Sequence, residues 1–110
     1  MPYAVENALY QWQDGEQRIR AALEPERAQL ERASEIVLDE LRRRLGSTFV
    51  LDELASYYGD GTDWATELAS RYAPGGDAAS VVDAAFARYA RESSNFAGGR
   101  RREQHQRPEG

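Results

Sequence analysis

A chain of 110 residues with a formal net charge of −5 has room for one small domain with a modest core. It holds no cysteine, which excludes disulfides, thiolate chemistry and cysteine-ligated zinc. No stretch approaches the ~20 apolar residues of a membrane span, and the opening MPYAVENALYQWQ lacks the basic start and apolar run of a signal peptide, so a cytoplasmic protein is expected.

Residues 3–23 are predicted to form a first helix. Val5, Leu9, Trp12, Ile19 and Leu23 recur at four- and three-residue steps, with Glu16 interrupting the stripe. Glu16 and Arg20 are placed as an i,i+4 pair. Gly15 in mid-helix costs roughly 1 kcal/mol relative to Ala and marks a weak point. Pro25 then suits the first position of a second helix, 25–45, whose stripe is Leu30, Ala33, Val37, Leu41 and Leu45, widened by Ile36 and Leu38. Arg42, Arg43 and Arg44 match the negative end of its dipole, with Asp39 and Glu40 beside them, and Gly46 stops it.

Three shorter helices follow, at 51–58, 63–72 and 78–93. Ser47 or Thr48 caps the first, with Phe49 stapling its entry, and Thr62 or Asp63 caps the second. Asp77 caps the third, whose apolar face is Val81, Val82, Ala85, Phe86 and Tyr89. GDG at 59–61 and PGG at 74–76 turn the chain, and AGG at 97–99 ends the order. Residues 100–110 are polar and aperiodic, so a disordered basic tail is expected. The fold class is thus all-α: a single helical domain over residues 1–99, divided into a helical arm (1–46) and a three-helix unit (47–99). LEPERA leaves hardly any loop between the two long helices, which favours a kinked arm over a hairpin. Such an arm exposes its stripe and makes homodimerisation through the N-terminal helices a second expectation.

Within the three-helix unit, Ala55, Gly59, Ala65 and Leu68 stand at spacings that resemble a helix-turn-helix pair over residues 51–72, with Leu54 and Tyr58 facing inward. The resemblance implies that the second helix of the pair would read DNA. The residue after the turn glycine is Asp60 where the family has an apolar one. The reading helix offers Asp63, Thr66, Glu67 and Ser70, with Arg71 only at its end. Residues 47–99 carry a net charge of −5, the most acidic part of the chain, which works against phosphate binding.

The inventory for catalysis is thin. The only histidine, His105, lies in the tail, and there is no lysine. Asp60, Asp63 and Glu67 lack the ligand number of a calcium loop, so no metal and no cofactor is expected. Adjacent Tyr57 and Tyr58 cannot both face one stripe, and Trp64 lies in the first turn of its helix. These aromatics beside acidic residues point to a protein-binding surface made of Tyr57, Tyr58, Asp60, Asp63, Trp64, Glu67 and Arg71. Arg100, Arg101 and Arg102 are candidate nucleic-acid contacts. The expected role is a non-catalytic interaction module with a protein partner, docking on a transcription or DNA-handling complex. The alternative is a dimeric helix-turn-helix DNA-binding regulator.

Overall fold

The computed structural model describes the backbone of residues 2–46, 51–60 and 62–106, and the side chains of 7–46, 53–58 and 62–92. Its elements are α1 (Pro2–Ala21), α2 (Glu26–Leu45), α3 (Leu51–Asp60), α4 (Asp63–Tyr72) and α5 (Ala78–Gln106), with no strand among the described residues. The all-α class expected from the periodicity is what the chain adopts. Among the described residues, no helix is long and apolar enough to cross a membrane.

Only α4 has the bounds expected; α1 starts one residue earlier and ends two earlier, α2 starts one later, and α3 and α5 run longer. α3 continues through Gly59 and Asp60, so the glycine assigned to the turn lies inside the helix. α5 continues past residue 93 and through Gly98 and Gly99 to Gln106, so residues 100–106 are helical where a disordered tail was expected. Each glycine costs about 1 kcal/mol in a helix, but the Arg, Glu and Gln beyond them are good helix formers, and no proline intervenes before Pro108. The expected caps Ser47 and Thr48, the staple Phe49, and residues 107–110 lie outside the described residues. Asp77 caps α5 as expected: it accepts from the backbone N–H of Ser80 at 3.1 Å and from its hydroxyl at 2.8 Å.

α5 is the axis of the fold. Ser80 through Ala87, then Tyr89 and Ala90, are all buried, so this helix is covered on every side rather than along one stripe. α1 runs antiparallel to it: Trp12 meets Phe86, and Gly15 meets Ser80 and Asp83. α2 runs parallel to it, with Leu30 near Gly76, Glu35 near Arg88 and Arg42 on Glu92. α1 and α2 are therefore antiparallel to each other and form a hairpin, not the kinked arm favoured by the short connection. The reversal takes residues 22–25, within which the Glu24–Pro25 peptide is cis. The reason is a shared partner. Both apolar stripes are buried on one helix, which a straight arm would have left exposed. One core therefore draws on all five helices, and the expected division at residue 46 has no counterpart in the packing.

The α2 stripe is as expected: Leu30, Ala33, Val37, Leu38 and Leu41 are buried, while Leu45 and Ile36 are half-buried. α1 keeps Trp12 and Ile19 in the core, but Leu23 is 80% exposed. α1 ends at Ala21, so Leu23 is no longer carried round onto the stripe. α4 turns the small residues Ala65 and Ala69 inward, with Ala73 just beyond its end, and packs closely against α2 and α5. α3 packs against α1 and α5.

Candidate interaction surface

The aromatic residues expected to anchor a partner are engaged within the chain. The Tyr58 hydroxyl donates to Oδ1 of buried Asp83 at 2.5 Å and accepts from Gln11 Nε2 at 2.9 Å, tying α3 to α5 and α1. Its ring meets Trp12 edge-on at 5.5 Å and Phe86 at 5.0 Å between centroids. Tyr57 stacks on Phe86 at 6.4 Å, and its hydroxyl accepts from Trp64 Nε1 at 2.8 Å. The Arg44 guanidinium covers the Trp64 ring, 4.4 Å from its centroid. Tyr57, Tyr58 and Trp64 are thus all half-buried. Both tyrosines pack because they straddle Phe86, an arrangement that a single-stripe argument does not allow. Burial pushes the Asp83 carboxyl above the ordinary Asp range, with the Tyr58 hydroxyl and Arg18 pulling it back. Burial, and then the neighbouring carboxylate, raise the Tyr58 phenol.

A second layer of order is ionic. Glu16, which interrupts the α1 stripe, takes two hydrogen bonds from Arg91 at 2.9 and 2.5 Å. Arg91 is thus the main partner of Glu16 and holds its carboxyl below the usual range, with the expected partner Arg20 adding a weaker electrostatic pull without a direct contact. Arg42 makes a two-bond contact with Glu92 at 3.0 and 2.6 Å and a further bond to Asp39 at 2.7 Å. Arg43 and Arg44 both bind Glu40. The three arginines at the end of α2 therefore serve the body of the protein.

Most described charges are accounted for in this way, and those left over fall in two places. Apart from Asp77 and Asp83, which are held by hydrogen bonds from Ser80 and Tyr58, the described charged residues without an ion-pair partner are Glu53, Asp63, Glu67 and Arg71 on α3 and α4, and Arg20, Glu26, Glu31 and Arg32 on α1 and α2. On α4 the outer face is Asp63, Thr66, Glu67, Ser70 and Arg71, all exposed, with Tyr72 44% exposed at its end. A cavity of about 320 Å³ lies between α1 and α2, floored by Ile19, Leu38, Ala84 and Ala85. Its lining contains no histidine, lysine or tyrosine, and Glu16 and Glu35 in it are held by arginines. No group of three or more metal-ligating side chains occurs among the described residues.

Of the residues singled out from the sequence, Asp63, Glu67 and Arg71 are thus brought together on one exposed face. Tyr57, Tyr58 and Trp64 are brought together beneath it, not on it. Asp60 ends α3, and Arg100, Arg101 and Arg102 lie in α5, with side chains outside the description. Gln11 and Asp83 were missed, and Gly15 was expected only as a weak point rather than as a close approach to α5. The available signal was Asp83 itself, the one carboxylate inside the otherwise small and apolar run AASVVDAAFARYA. Compared with protein-family models, with curated proteins and with solved structures, the chain shows no match.

Proposed function

We propose that this chain is a non-catalytic protein-interaction module of the cytoplasm, which docks a basic surface of a protein partner on the outer face of α3 and α4. The observation that carries this reading is the placement of unpaired charge. Glu53, Asp63 and Glu67 stand exposed without a cation, against the single cation Arg71, while elsewhere on the body carboxylates are mostly matched to arginines. Tyr72 and Arg71 at the end of α4 add the aromatic and guanidinium groups that anchor interfaces. The same charges disfavour a phosphate backbone, so the helix-turn-helix-like pair is used here for its shape rather than for reading DNA.

The test is capture from native lysate after nuclease treatment, with the parent chain and an Asp63→Arg/Glu67→Arg variant side by side. Both positions are exposed, so circular dichroism of the variant should match the parent. A stoichiometric protein retained by the parent, and retained at least about tenfold less by the variant, supports the reading. Retention that disappears with nuclease, and duplex binding that weakens steeply with salt, would replace it with DNA binding through Arg71 and Arg100–Arg102.

A further inference from the structure

The second set of unpaired charges points to a different partner. Around the α1–α2 turn, Arg32 is balanced by Glu26, both line one depression, and neither has an ion-pair partner among the described residues. Just before them in the chain, between α1 and α2, is Leu23, 80% exposed, the most exposed large apolar side chain among the described residues. The depression beside it on α2 is shallow, about 540 Å³, and is lined by Pro25, Glu26, Ala28, Gln29 and Arg32. The patch thus has an apolar knob, a concave site with an alanine in it, and equal numbers of both charges.

We infer that the α1–α2 turn is a self-association surface on which Leu23 of each copy enters the depression over Ala28 of the other, with Arg32 of each copy paired to Glu26 of its partner. The charge pattern is the argument for a second copy over some other protein. A two-fold interface needs each surface to be its own complement, with knob and hole, cation and anion on the same patch. This patch meets that condition. The α3–α4 face, with three carboxylates to one arginine, does not, since two copies of it would repel. The apolar area is small, so the dimer is weak and concentration-dependent. This surface is separate from the one proposed for the partner above, and either proposal stands if the other fails.

The experiment is sedimentation velocity of the full chain from about 10 µM to about 1 mM at low salt, a range that brackets weak association. The parent should pass from monomer to dimer across it. Leu23→Asp should weaken association at least about tenfold. Arg32→Glu and Glu26→Arg should each weaken it, because each places two like-charge pairs in a two-fold interface. The double reversal Arg32→Glu/Glu26→Arg should restore it. All three positions are exposed, and circular dichroism checks that each variant folds. Asp63→Arg/Glu67→Arg should dimerise like the parent. A parent that stays monomeric throughout, a dimer indifferent to Leu23→Asp, or a double reversal no better than the singles would each overturn the proposal.

Discussion

α1 and α2 lie along the same helix, yet they are held there by different physics. α1 is held mainly by shape and by buried polar chemistry, with one ion pair to α5, Glu16–Arg91, at its edge. Gly15 lets its backbone approach α5 so closely that a Cβ built there would stand 2.5 Å from Asp83 Cβ and 3.1 Å from the Ser80 carbonyl oxygen. Trp12 is fully buried against Phe86 and Tyr58, and Gln11 joins the hydrogen bonds that end on Asp83. α2 is held by an aliphatic seam and, at its edge, by exposed ion pairs to α5 through Arg42–Glu92 and Glu35–Arg88. The first arrangement tolerates little change in side-chain volume. The second tolerates change but feels salt. Replacing single residues on each side separates the two.

The largest effect is expected at Gly15. Helix propensity alone favours Ala over Gly by about 1 kcal/mol, so Gly15→Ala would stabilise an unconstrained α1. The contacts with Asp83 and Ser80 reverse that sign, because the crossing must open to admit a methyl group. Overpacking typically costs about 1–3 kcal/mol and occasionally more, and with two Cβ atoms 2.5 Å apart on facing backbones the cost here should exceed that range. Urea denaturation of Gly15→Ala should show a net loss of stability. A gain would mean that α1 and α5 do not approach as described.

The next effect lies in the buried network. Tyr58→Phe keeps the ring contacts with Trp12 and Phe86 but removes the hydrogen bond to Asp83, and leaving a buried acceptor unsatisfied costs about 1–3 kcal/mol. The loss should depend on pH. The folded Asp83 carboxyl already lies above its ordinary range through burial, opposed by the Tyr58 bond. A carboxyl raised in the folded state binds its proton more tightly there than in the unfolded chain. Its contribution to stability therefore falls as pH rises from about 4 toward neutrality. Without Tyr58 the carboxyl is raised further, so the variant's deficit should be larger at pH 7 than near pH 5. Glu16 and Asp77, both lowered on folding, act in the opposite sense, losing their contribution as pH falls below the ordinary carboxyl range. They are common to both proteins and cancel in the difference. A deficit that is flat with pH would remove Asp83 from the account.

How much of this was legible in the sequence depends on how many partners an element has. α2 packs one stripe inward, and its 3.6-residue period identified every buried position from Leu30 to Leu41. α5 is buried on all sides, so period was a poor guide. Ala84, Ala87 and Ala90, small and mild in hydropathy, are as covered as Phe86. The hairpin was not legible, because the connection between α1 and α2 carries little information about the third helix that both of them bury. At the candidate site, the exposure of Asp63, Glu67 and Arg71 followed from helical spacing within α4, and the inward turn of Tyr58 from the helix-turn-helix spacing, while that of Tyr57 and Trp64 depended on Phe86 and Arg44, both distant in sequence. Gly15 reads as a weak point within one helix, where its cost is visible, whereas its benefit appears only across the crossing.

The smallest effect is expected where α2 is fastened to α5. Arg42 and Glu92 meet through two hydrogen bonds, a geometry that favours guanidinium–carboxylate pairs, yet the side chains remain 43% and 39% exposed. Water and ions therefore screen the pair, and Arg42→Ala should cost at most about 1 kcal/mol. Part of that cost is not electrostatic, since the arginine stem covers apolar surface. A double-mutant cycle with Glu92→Ala isolates the coupling between the two charges. That coupling should shrink when the salt is raised to about 1 M, because the pair is solvent-exposed and the Debye length falls to about 3 Å, so that ions compete at close range. The Gly15→Ala loss, being steric, should not move with salt. If the Arg42–Glu92 coupling were large and indifferent to salt, α2 would be fastened as α1 is, by a desolvated polar contact, and the contrast between the two sides of α5 would not hold.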